Sequence, residues 1–158
     1  MKDIQILFVD DEPVILHAIG RLLYQERYTL HFAENGVEAL DVMAKTPIQV
    51  LVTDMKMPKM DGLSLLRKVK KLYPDTVRLA LSGYLQIGQL LPCINSGEIF
   101  RFIIKPAQTE DLKQALQDAI DSSSSANVAG MICHALSSIS TILSKSMRSM
   151  AIILGILC

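Results

Sequence analysis

Residues 50–62 of this chain read VLVTDMKMPKMDG. The segment begins with a short run of aliphatic and β-branched residues, which is typical of a buried strand. The run ends at a carboxylate, Asp54, and a loop with Pro58 and Gly62 follows before a helical pattern begins at Leu63. Asp54 is therefore predicted to lie at the carboxyl end of a strand, the edge where open α/β sheets place their ligands. Taken alone, Asp54 is equally well explained as a turn cap, and the other residues at this edge decide between the two interpretations.

Apolar segments of two periodicities alternate along residues 4–121. Five short apolar runs predict strands, at residues 4–9, 28–32, 48–53, 76–81 and 99–104. Each run is followed by apolar residues at helical spacing, and the weakest of these helical segments is 84–95, which contains Gly88 and Pro92. Strands that alternate with helices predict an α/β fold with a doubly wound, five-stranded parallel sheet and helices on both faces.

The ends of several predicted elements carry local signals. Pro13 is suited to the first turn of the first helix, where its missing N–H group costs nothing. Residues 28–32 alternate between apolar and polar side chains, which predicts a strand at the edge of the sheet. Asn35 and Gly36 are interpreted as a turn, and Thr109 as the cap of the last helix.

Composition limits the class of protein. The chain has 158 residues, which fits one domain, and it is 50% hydrophobic and 20% charged, as globular proteins are. Sixteen basic residues balance sixteen acidic ones, so no nucleic-acid partner is expected. Cys93, Cys133 and Cys158 match no disulfide or metal-ligand spacing, which favours a cytoplasmic location. The apolar run at 6–9 is too short for a signal peptide.

The composition changes after Asp121. Residues 122–127 predict a serine-rich linker, and 128–158 predict one amphipathic helical tail. The tail prediction rests on apolar residues three or four positions apart: Ile132, Leu136, Ile139, Leu143, Met147, Met150 and Leu154. This segment could pack on its own domain, form a poorly ordered terminus, or bind a second copy or another partner. Lys145 and Arg148 interrupt any membrane-spanning window, so no membrane contact is expected, although a surface role stays open.

Polar residues follow four of the five predicted strands. They are Asp10 and Asp11, Asp54, Ser82, and Lys105, in chain order. Because parallel strands share one carboxyl edge, these groups are predicted to meet there. Three crowded carboxylates need a cation, and their oxygen atoms suit Mg²⁺, while a lysine and a hydroxyl suit phosphate oxygens. An aspartate can act as a nucleophile and form an aspartyl phosphate, so the edge is predicted to accept a phosphoryl group.

Simpler interpretations exist for each of these residues when it is considered alone. Asp10 and Asp11 could cap the first helix, Ser82 could be a turn residue, and Lys105 could be a solvated charge. Their joint placement at one edge favours the common site.

The motifs at these positions resemble those of a known family. Asp10-Asp11, the segment 54–62, Leu81-Ser82-Gly83 and the segment 102–106 are similar, in order and spacing, to the receiver domain of bacterial two-component response regulators. The resemblance covers about residues 3–121. It implies a CheY-like, flavodoxin-like sheet with strand order 2-1-3-4-5.

The resemblance also implies the chemistry of the acidic residues. Asp54 would be phosphorylated by a sensor histidine kinase, by a histidine phosphotransfer protein or by small phosphodonors. Asp11, Asp54 and the backbone carbonyl of Lys56 would bind Mg²⁺, with Asp10 assisting through water. Lys56 and Tyr84 occupy positions that tune the lifetime of the phosphoryl group in this family.

The remaining roles concern the phosphoryl oxygens and the conformational switch. Ser82 and Lys105 would hold phosphoryl oxygens, and the peptide bond between Lys105 and Pro106 would be cis. Phe102 resembles the aromatic switch residue, although it could also be an ordinary core aromatic of its strand. Two departures are the serine at 82, where threonine is commoner, and Ala107, where related sequences often carry an aromatic.

Phosphorylation is predicted to shift a pre-existing equilibrium of residues 82–95 and of the strand with Phe102. The surface of the fourth helix, fifth strand and fifth helix would then meet a partner or form a homodimer, to which the tail helix could also contribute.

Because residues 122–158 are too few for an effector domain, a stand-alone receiver or a shortened regulator is expected. Like other receivers, the protein is expected to be no turnover enzyme.

Two rival functions fit the sequence less well than the receiver. A phosphatase with a strand-one aspartate as nucleophile would need a second acid two residues on and a cap insertion. Here that acid would be Glu12, which precedes Pro13, and no insertion exists. The alternative within the family is a pseudo-receiver or truncated regulator that acts as a phosphorylation-independent interaction module, and the intact acidic residues and lysine count against it.

Overall fold

The structure, a computed structural model, describes residues 3–124. The predicted tail helix at 128–158 and the predicted linker from residue 125 onward lie outside the described residues. Within the described part of the chain, no helix combines the length and the apolar character needed to cross a bilayer.

The described residues form a β/α alternation that confirms the predicted fold class. The strands are β1 Ile4–Val9, β2 Tyr28–Ala33, β3 Val50–Asp54, β4 Val77–Ser82 and β5 Arg101–Ile104. The helices are α1 Pro13–Leu22, α2 Gly36–Lys45, α3 Gly62–Leu72, α4 Ile87–Asn95 and α5 Thr109–Ser124, with a 3₁₀ turn at Tyr84–Gln86 before α4. All strand pairs are parallel, and the strand order is β2-β1-β3-β4-β5.

Two hydrophobic cores lie on the two faces of the sheet. In β1, Leu7 and Val9 pack on the side of α2, α3 and α4, whereas Ile6 and Phe8 pack on the side of α1 and α5. The inner strands are therefore buried on both faces, which explains why they read as continuous apolar runs rather than as alternating ones. Their carboxyl ends are held in register at one edge of the sheet.

The predicted edge strand is confirmed at β2. Apart from Ala33, its side chains are only partly buried, and Phe32 is 39% exposed. Tyr28 and Leu30 pack against the core beside α1 and α5, and the Phe32 ring lies 6.3 Å from that of Phe8 on the same face. The alternation at 28–32 thus reflects a strand that packs one face against the core and lies at the edge of the sheet, paired with β1.

Several predicted element ends were wrong in detail. Asn35 is the N-cap of α2, where its side chain accepts a hydrogen bond from the backbone N–H of Glu38 at 2.9 Å, and Gly36 is the first helical residue rather than part of a turn. Thr109 is the first residue of α5 and not its cap. The same helix continues to Ser124, so the first three residues of the predicted linker are helical.

A buried arginine binds the loop that follows the C-terminal end of α4. Arg78 lies near the beginning of β4 and is 4% exposed. Its Nε donates to the carbonyl of Glu98 at 2.9 Å, its Nη1 to Thr76 at 3.0 Å and its Nη2 to Gly97 at 3.0 Å. Because these carbonyls belong to the loops before β4 and β5, the guanidinium ties the chain after α4 to the sheet.

Candidate functional site

Strand β3 places Asp54 at the carboxyl edge of the sheet. All of β3 is buried, and Asp54, its last residue, is 7% exposed. The N–H of Met55 donates to Asp54 Oδ1 at 2.8 Å. The loop then returns so closely that a Cβ atom on Gly62 would lie 2.2 Å from the carbonyl oxygen of Asp54. Glycine is therefore required at position 62 for the loop to pass the end of β3.

Three carboxylates gather at this edge. One oxygen from each of Asp10, Asp11 and Asp54 lies within 4.8 Å of the others. Asp10 is 1% exposed and follows β1, whereas Asp11 is exposed. Asp10 Oδ1 accepts a hydrogen bond from the N–H of Glu12 at 2.9 Å, but the N-cap position of α1 is Glu12 itself and no side chain caps that helix. The helix-cap interpretation of the two aspartates is therefore wrong.

The ammonium of Lys105 bridges two of these carboxylates. Its Nζ lies 3.1 Å from Asp10 Oδ2 and 3.1 Å from Asp54 Oδ1, although the lysine follows Asp10 by 95 residues in the chain. The backbone N–H of Lys105 donates to the carbonyl of Ser82 at 2.8 Å, and the bond to Pro106 is cis, as the resemblance implied. The lysine is thus a partner of the acidic cluster and not a solvated charge.

Burial and charge act against each other in this cluster. Burial raises the pKa of the Asp54 carboxyl, and the Asp10 charge adds to this, while the hydrogen bonds from Lys105 and from the Met55 N–H act in the opposite direction. For Lys105, burial alone would lower the pKa, but the hydrogen bonds to Asp10 and Asp54 outweigh it and the pKa is raised. The lysine therefore stays protonated at neutral pH.

The donor set fits a hard divalent cation. Three carboxylates face one ammonium, so the cluster carries two uncompensated negative charges, and all of its acceptor atoms are oxygens. Mg²⁺ binds through one or two carboxylates together with waters and phosphate oxygens. Asp10, Asp11 and Asp54 are accordingly the residues that would hold it.

Ser82 lies at the same edge, and its hydroxyl is hydrogen-bonded to the segment that follows β4. The residue is 0% exposed. Its hydroxyl oxygen lies 3.1 Å from the carbonyl of Gly83 and 3.2 Å from Oε1 of Gln86, both on the segment that follows β4. Of the residues predicted to form the site, the structure thus brings Asp10, Asp11, Asp54 and Lys105 together, whereas the Ser82 hydroxyl is hydrogen-bonded to Gly83 and Gln86.

The other predicted residues differ in their burial. Phe102 is 3% exposed and packs in the core on the side of α2, α3 and α4, so it is a core aromatic and its switch role stays a prediction. Lys56 and Tyr84 are exposed. A cavity of about 490 Å³ adjoins the acidic cluster, and it is lined by Asp11, Met55, Lys56, Met57, Asp61, Leu63, Gln86 and Gln89.

Gln86 is a residue that the sequence pattern alone did not single out. Its carboxamide oxygen also accepts a hydrogen bond from the N–H of Gly83 at 3.3 Å. A glutamine three residues after the residue that precedes a helical turn is one half of a capping box, and this spacing was the available signal. The helical pattern of residues 84–95 is too weak to show where the first turn begins, so the capping box cannot be recognised from the sequence.

A parallel β2-β1-β3-β4-β5 sheet, with three aspartates and a lysine joined at its carboxyl edge, defines an α/β domain of the receiver class. Comparison with known proteins identifies the family directly. The profile of the response regulator receiver domain matches residues 6–117, and the chain belongs to this family. The resemblance noted from the sequence is thereby confirmed.

Individual relatives agree with this assignment. The transcriptional regulatory protein GlrR of Escherichia coli (strain K12) is 31% identical over 125 residues, which are 79% of this chain and 28% of that protein. The signal receiver domain of an HD domain-containing protein from Pseudomonas fluorescens Pf-5 is 34% identical, with a TM-score of 0.73 over 78% of this chain and 90% of that one. A CheY-like receiver domain protein from Methanospirillum hungatei JF-1 is 27% identical, with a TM-score of 0.74 over 80% and 100% of the two chains.

Membership of the family fixes the general role. Receiver domains are signalling domains rather than turnover enzymes; histidine kinases phosphorylate them, and they bind Mg²⁺ at the acidic pocket. The matched part of this chain corresponds to only about a quarter of GlrR, a transcriptional regulator. The match does not extend to the rest of GlrR.

Proposed function

We propose that this protein is a phosphoacceptor receiver in a two-component phosphorelay, with Asp54 as the residue that is phosphorylated. The observation that carries the proposal is the contact of Lys105 with Asp54 at 3.1 Å, beside two further carboxylates at the end of β3. A sensor histidine kinase or a histidine phosphotransfer protein would donate the phosphoryl group. We place the protein in the cytoplasm, where such donors present their phosphohistidine.

The transfer is an in-line displacement at phosphorus. A carboxylate oxygen of Asp54 forms the new O–P bond while the P–N bond to the donor imidazole breaks, and the bonding electrons return to the imidazole nitrogen. Oδ1 of Asp54 already accepts from Lys105 and from the Met55 N–H, which leaves Oδ2 as the attacking oxygen. Lys105 would then neutralise a phosphoryl oxygen as negative charge moves from the carboxylate to the phosphoryl group.

Mg²⁺, when bound, supplies positive charge that offsets the repulsion between the incoming phosphoryl group and the carboxylates. Asp10, Asp11, Asp54 and the backbone carbonyl of Lys56 would hold it. Lys56 lines the cavity beside the site, and both Lys56 and Tyr84 are exposed; their side chains would affect access of the water that hydrolyses the aspartyl phosphate.

The output would be a change in the surface formed by α4, β5 and α5. Leu85, in the 3₁₀ turn before α4, is 99% exposed, and Leu91, on α4, is 37% exposed; exposed apolar side chains favour contact with a partner or a second copy. Phosphorylation would reposition Ser82 and the segment after it, with Phe102 responding in β5. A homodimer through this surface, or through residues 128–158, is the form of assembly we propose.

Phosphate-affinity electrophoresis tests the proposal. Incubation of the wild type with acetyl phosphate and Mg²⁺ is expected to produce a retarded band, and Asp54→Asn is expected to abolish it because the amide cannot attack phosphorus. Asp41→Asn, at an exposed acid on α2, serves as the matched control and should behave as the wild type. Chelation of Mg²⁺ with EDTA should remove the band of the wild type and of the control.

Two results would contradict the proposal in different ways. Retardation of the Asp54→Asn variant would show that another residue is the acceptor. A wild type that takes up no phosphate would favour the phosphorylation-independent interaction module. The phosphatase alternative requires Asp10 as the nucleophile, but Asp10 is 1% exposed and its oxygens are bonded to Lys105 and to the N–H of Glu12.

A further inference from the structure

The hydroxyl of Ser82 is bound by a side chain of the segment that follows it. Oε1 of Gln86 lies 3.2 Å from Ser82 Oγ and 3.3 Å from the N–H of Gly83. Because a backbone N–H can only donate, the Gln86 atom that meets both groups must be the carboxamide oxygen. One acceptor therefore holds the last residue of β4 and the residue after it.

This arrangement occupies the hydroxyl that the proposed function requires for a phosphoryl oxygen. Ser82 is 0% exposed, and its hydroxyl proton is directed to Gln86 or to the carbonyl of Gly83. A hydroxyl has one proton, so Ser82 cannot donate to Gln86 and to a phosphoryl oxygen at the same time. A molecule in which Ser82 donates to Gln86 must therefore give up that hydrogen bond before Ser82 can donate to a phosphoryl oxygen.

Gln86 also belongs to an element that can move at low cost. It is the last residue of the 3₁₀ turn and precedes α4, and no side chain caps that helix. α4 contains Gly88 and Pro92, both of which lower helix stability. Gln86 lines the same cavity as Asp11 and Lys56, so the segment that is expected to respond borders the space beside the acidic cluster.

We propose that Gln86 is a positioning residue that stabilises the unphosphorylated conformation by accepting the hydroxyl proton of Ser82. Phosphorylation exchanges the Ser82–Gln86 hydrogen bond for one from Ser82 to the phosphoryl group, which releases Gln86 and the first turn of α4. This inference rests on the proposed function, since it assumes that the site takes a phosphoryl group.

The test is a titration with beryllofluoride and Mg²⁺, in which beryllofluoride serves as the probe in place of a phosphoryl group. In Gln86→Ala the competing acceptor is gone, so a larger fraction of molecules is competent and the apparent Kd should fall. The expected fall is roughly threefold to tenfold, the size that loss of one hydrogen bond produces. Gln86→Glu keeps an acceptor oxygen for both donors and should bring the apparent Kd back toward the wild-type value.

Two controls separate this role from a general structural effect. Gln117→Ala removes another glutamine hydrogen bond, to Asp121 on α5 at 3.0 Å, and should leave the apparent Kd unchanged. In the Ser82→Ala background, Gln86→Ala should change the apparent Kd by less than about twofold, because the hydrogen bond is already absent. A phosphate-independent readout is amide hydrogen exchange at Gly83, which should accelerate in Gln86→Ala and remain slow in Gln86→Glu.

The outcomes distinguish the two proposals. A wild type that shows no response to beryllofluoride with Mg²⁺ would overturn the proposed function and this inference with it. A wild type that responds, with Gln86→Ala binding no more tightly than Gln117→Ala, would overturn the inference alone. The inference alone would also be overturned if Gln86→Ala changed the apparent Kd equally in the wild-type and Ser82→Ala backgrounds.

Discussion

Among single residues, Gly62 shows how closely the backbone determines the position of Asp54. The N–H of Gly62 donates to the carbonyl of Met55 at 3.1 Å, and the loop passes directly over the end of β3. A Cβ atom at this position would meet backbone atoms of Asp54 and Met55, which cannot rotate away as the end of a side chain can. The glycine in the MDG part of the quoted segment is thus a steric requirement of the site.

We predict that Gly62→Ala lowers the free energy of unfolding by about 1–3 kcal/mol, the range found for overpacked positions. It should also weaken phosphate uptake, because the end of β3 must shift to accommodate the methyl group. Gly88→Ala is the matched control: a Cβ atom added there would have no other atom within 4 Å, and alanine in a helix is favoured over glycine by up to about 1 kcal/mol. Urea unfolding measures both variants, and equal stabilities would contradict the steric argument.

Asp54 and Lys105 illustrate a second point about individual residues. Two buried carboxylates and a half-buried ammonium are expensive to remove from water, and they contribute to the site more than to stability. The raised pKa of Asp54, caused first by burial, means that its charged form is disfavoured in the fold. A charged Asp54 carboxylate at this position is suited to a site that binds a cation and reacts with an electrophile.

Among the elements, α3 depends on a cap that belongs to the same loop. The Asp61 side chain accepts a hydrogen bond from the N–H of Ser64 at 2.7 Å. This bond is the main reason that the pKa of Asp61 is lowered, with the Ser64 hydroxyl and the charge of Arg67 contributing less. A lowered carboxyl pKa stabilises the fold above the unfolded-state pKa, and this stabilisation is lost as the pH falls through the folded-state value.

We therefore predict that Asp61→Asn keeps most of the stability at pH 7, because asparagine is also a good N-cap, and weakens the decrease in stability below about pH 4. Asp61 is mostly exposed, so solvent screening keeps the effect small, at most about 1 kcal/mol. Urea unfolding between pH 7 and pH 3 measures it, with Asp75→Asn as an exposed control. Curves for wild type and Asp61→Asn that stay parallel across this range would contradict the prediction.

The helix α4 is held differently at its two ends. Beyond its C-terminal end, Arg78 binds the carbonyls of Gly97 and Glu98, and Gly97 has a positive φ of 75° that suits glycine. Before its N-terminal end, the connection to the site is the pair of hydrogen bonds to Gln86. The contacts before α4 can therefore be exchanged while those beyond its C-terminal end and the core contacts of Leu90 stay in place.

In the whole molecule, one sheet joins two separate cores. Residues of α5 contribute much of the core on the side of α1, where Leu112, Ala115, Leu116 and Ala119 are at most 3% exposed. The ion pair of Lys113 with Glu26, at 2.8 Å, lies at the surface and is screened by solvent, so burial and not charge holds α5 in place.

We predict that a chain ending at Ser124 unfolds cooperatively, with a free energy of unfolding within about 1 kcal/mol of that of the full chain. A chain ending at Asp111 should lose cooperative unfolding, because the sheet face opposite α2, α3 and α4 would be exposed. Circular dichroism during urea unfolding compares the three chains. A chain ending at Ser124 that fails to fold would place part of the receiver's stability in residues 125–158.

Much of the fold follows from local patterns in the sequence. The alternation of short apolar runs with helical periodicities determined the fold class, because buried parallel strands must be apolar on both faces and their crossovers must be amphipathic. The gathering of Asp10, Asp54 and Lys105 also followed, since parallel strands place their carboxyl ends at one edge. The strand order came from the resemblance to receivers.

Other features were decided only by the tertiary structure. Asn35 has the pattern of a turn residue but caps α2, and Ser124 has that of a linker but ends α5; local signals of this kind have more than one solution, and packing selects between them. Arg78 resembles an ordinary strand residue in the sequence, yet it binds the carbonyls of Gly97 and Glu98, which lie in the loop before β5. The contact of Ser82 with Gln86 depends on how the 3₁₀ turn folds back over the end of β4. Sequence determined which groups reach the edge of the sheet, because that is a matter of periodicity and strand direction, whereas the direction in which each group points depends on contacts with residues far apart in the chain.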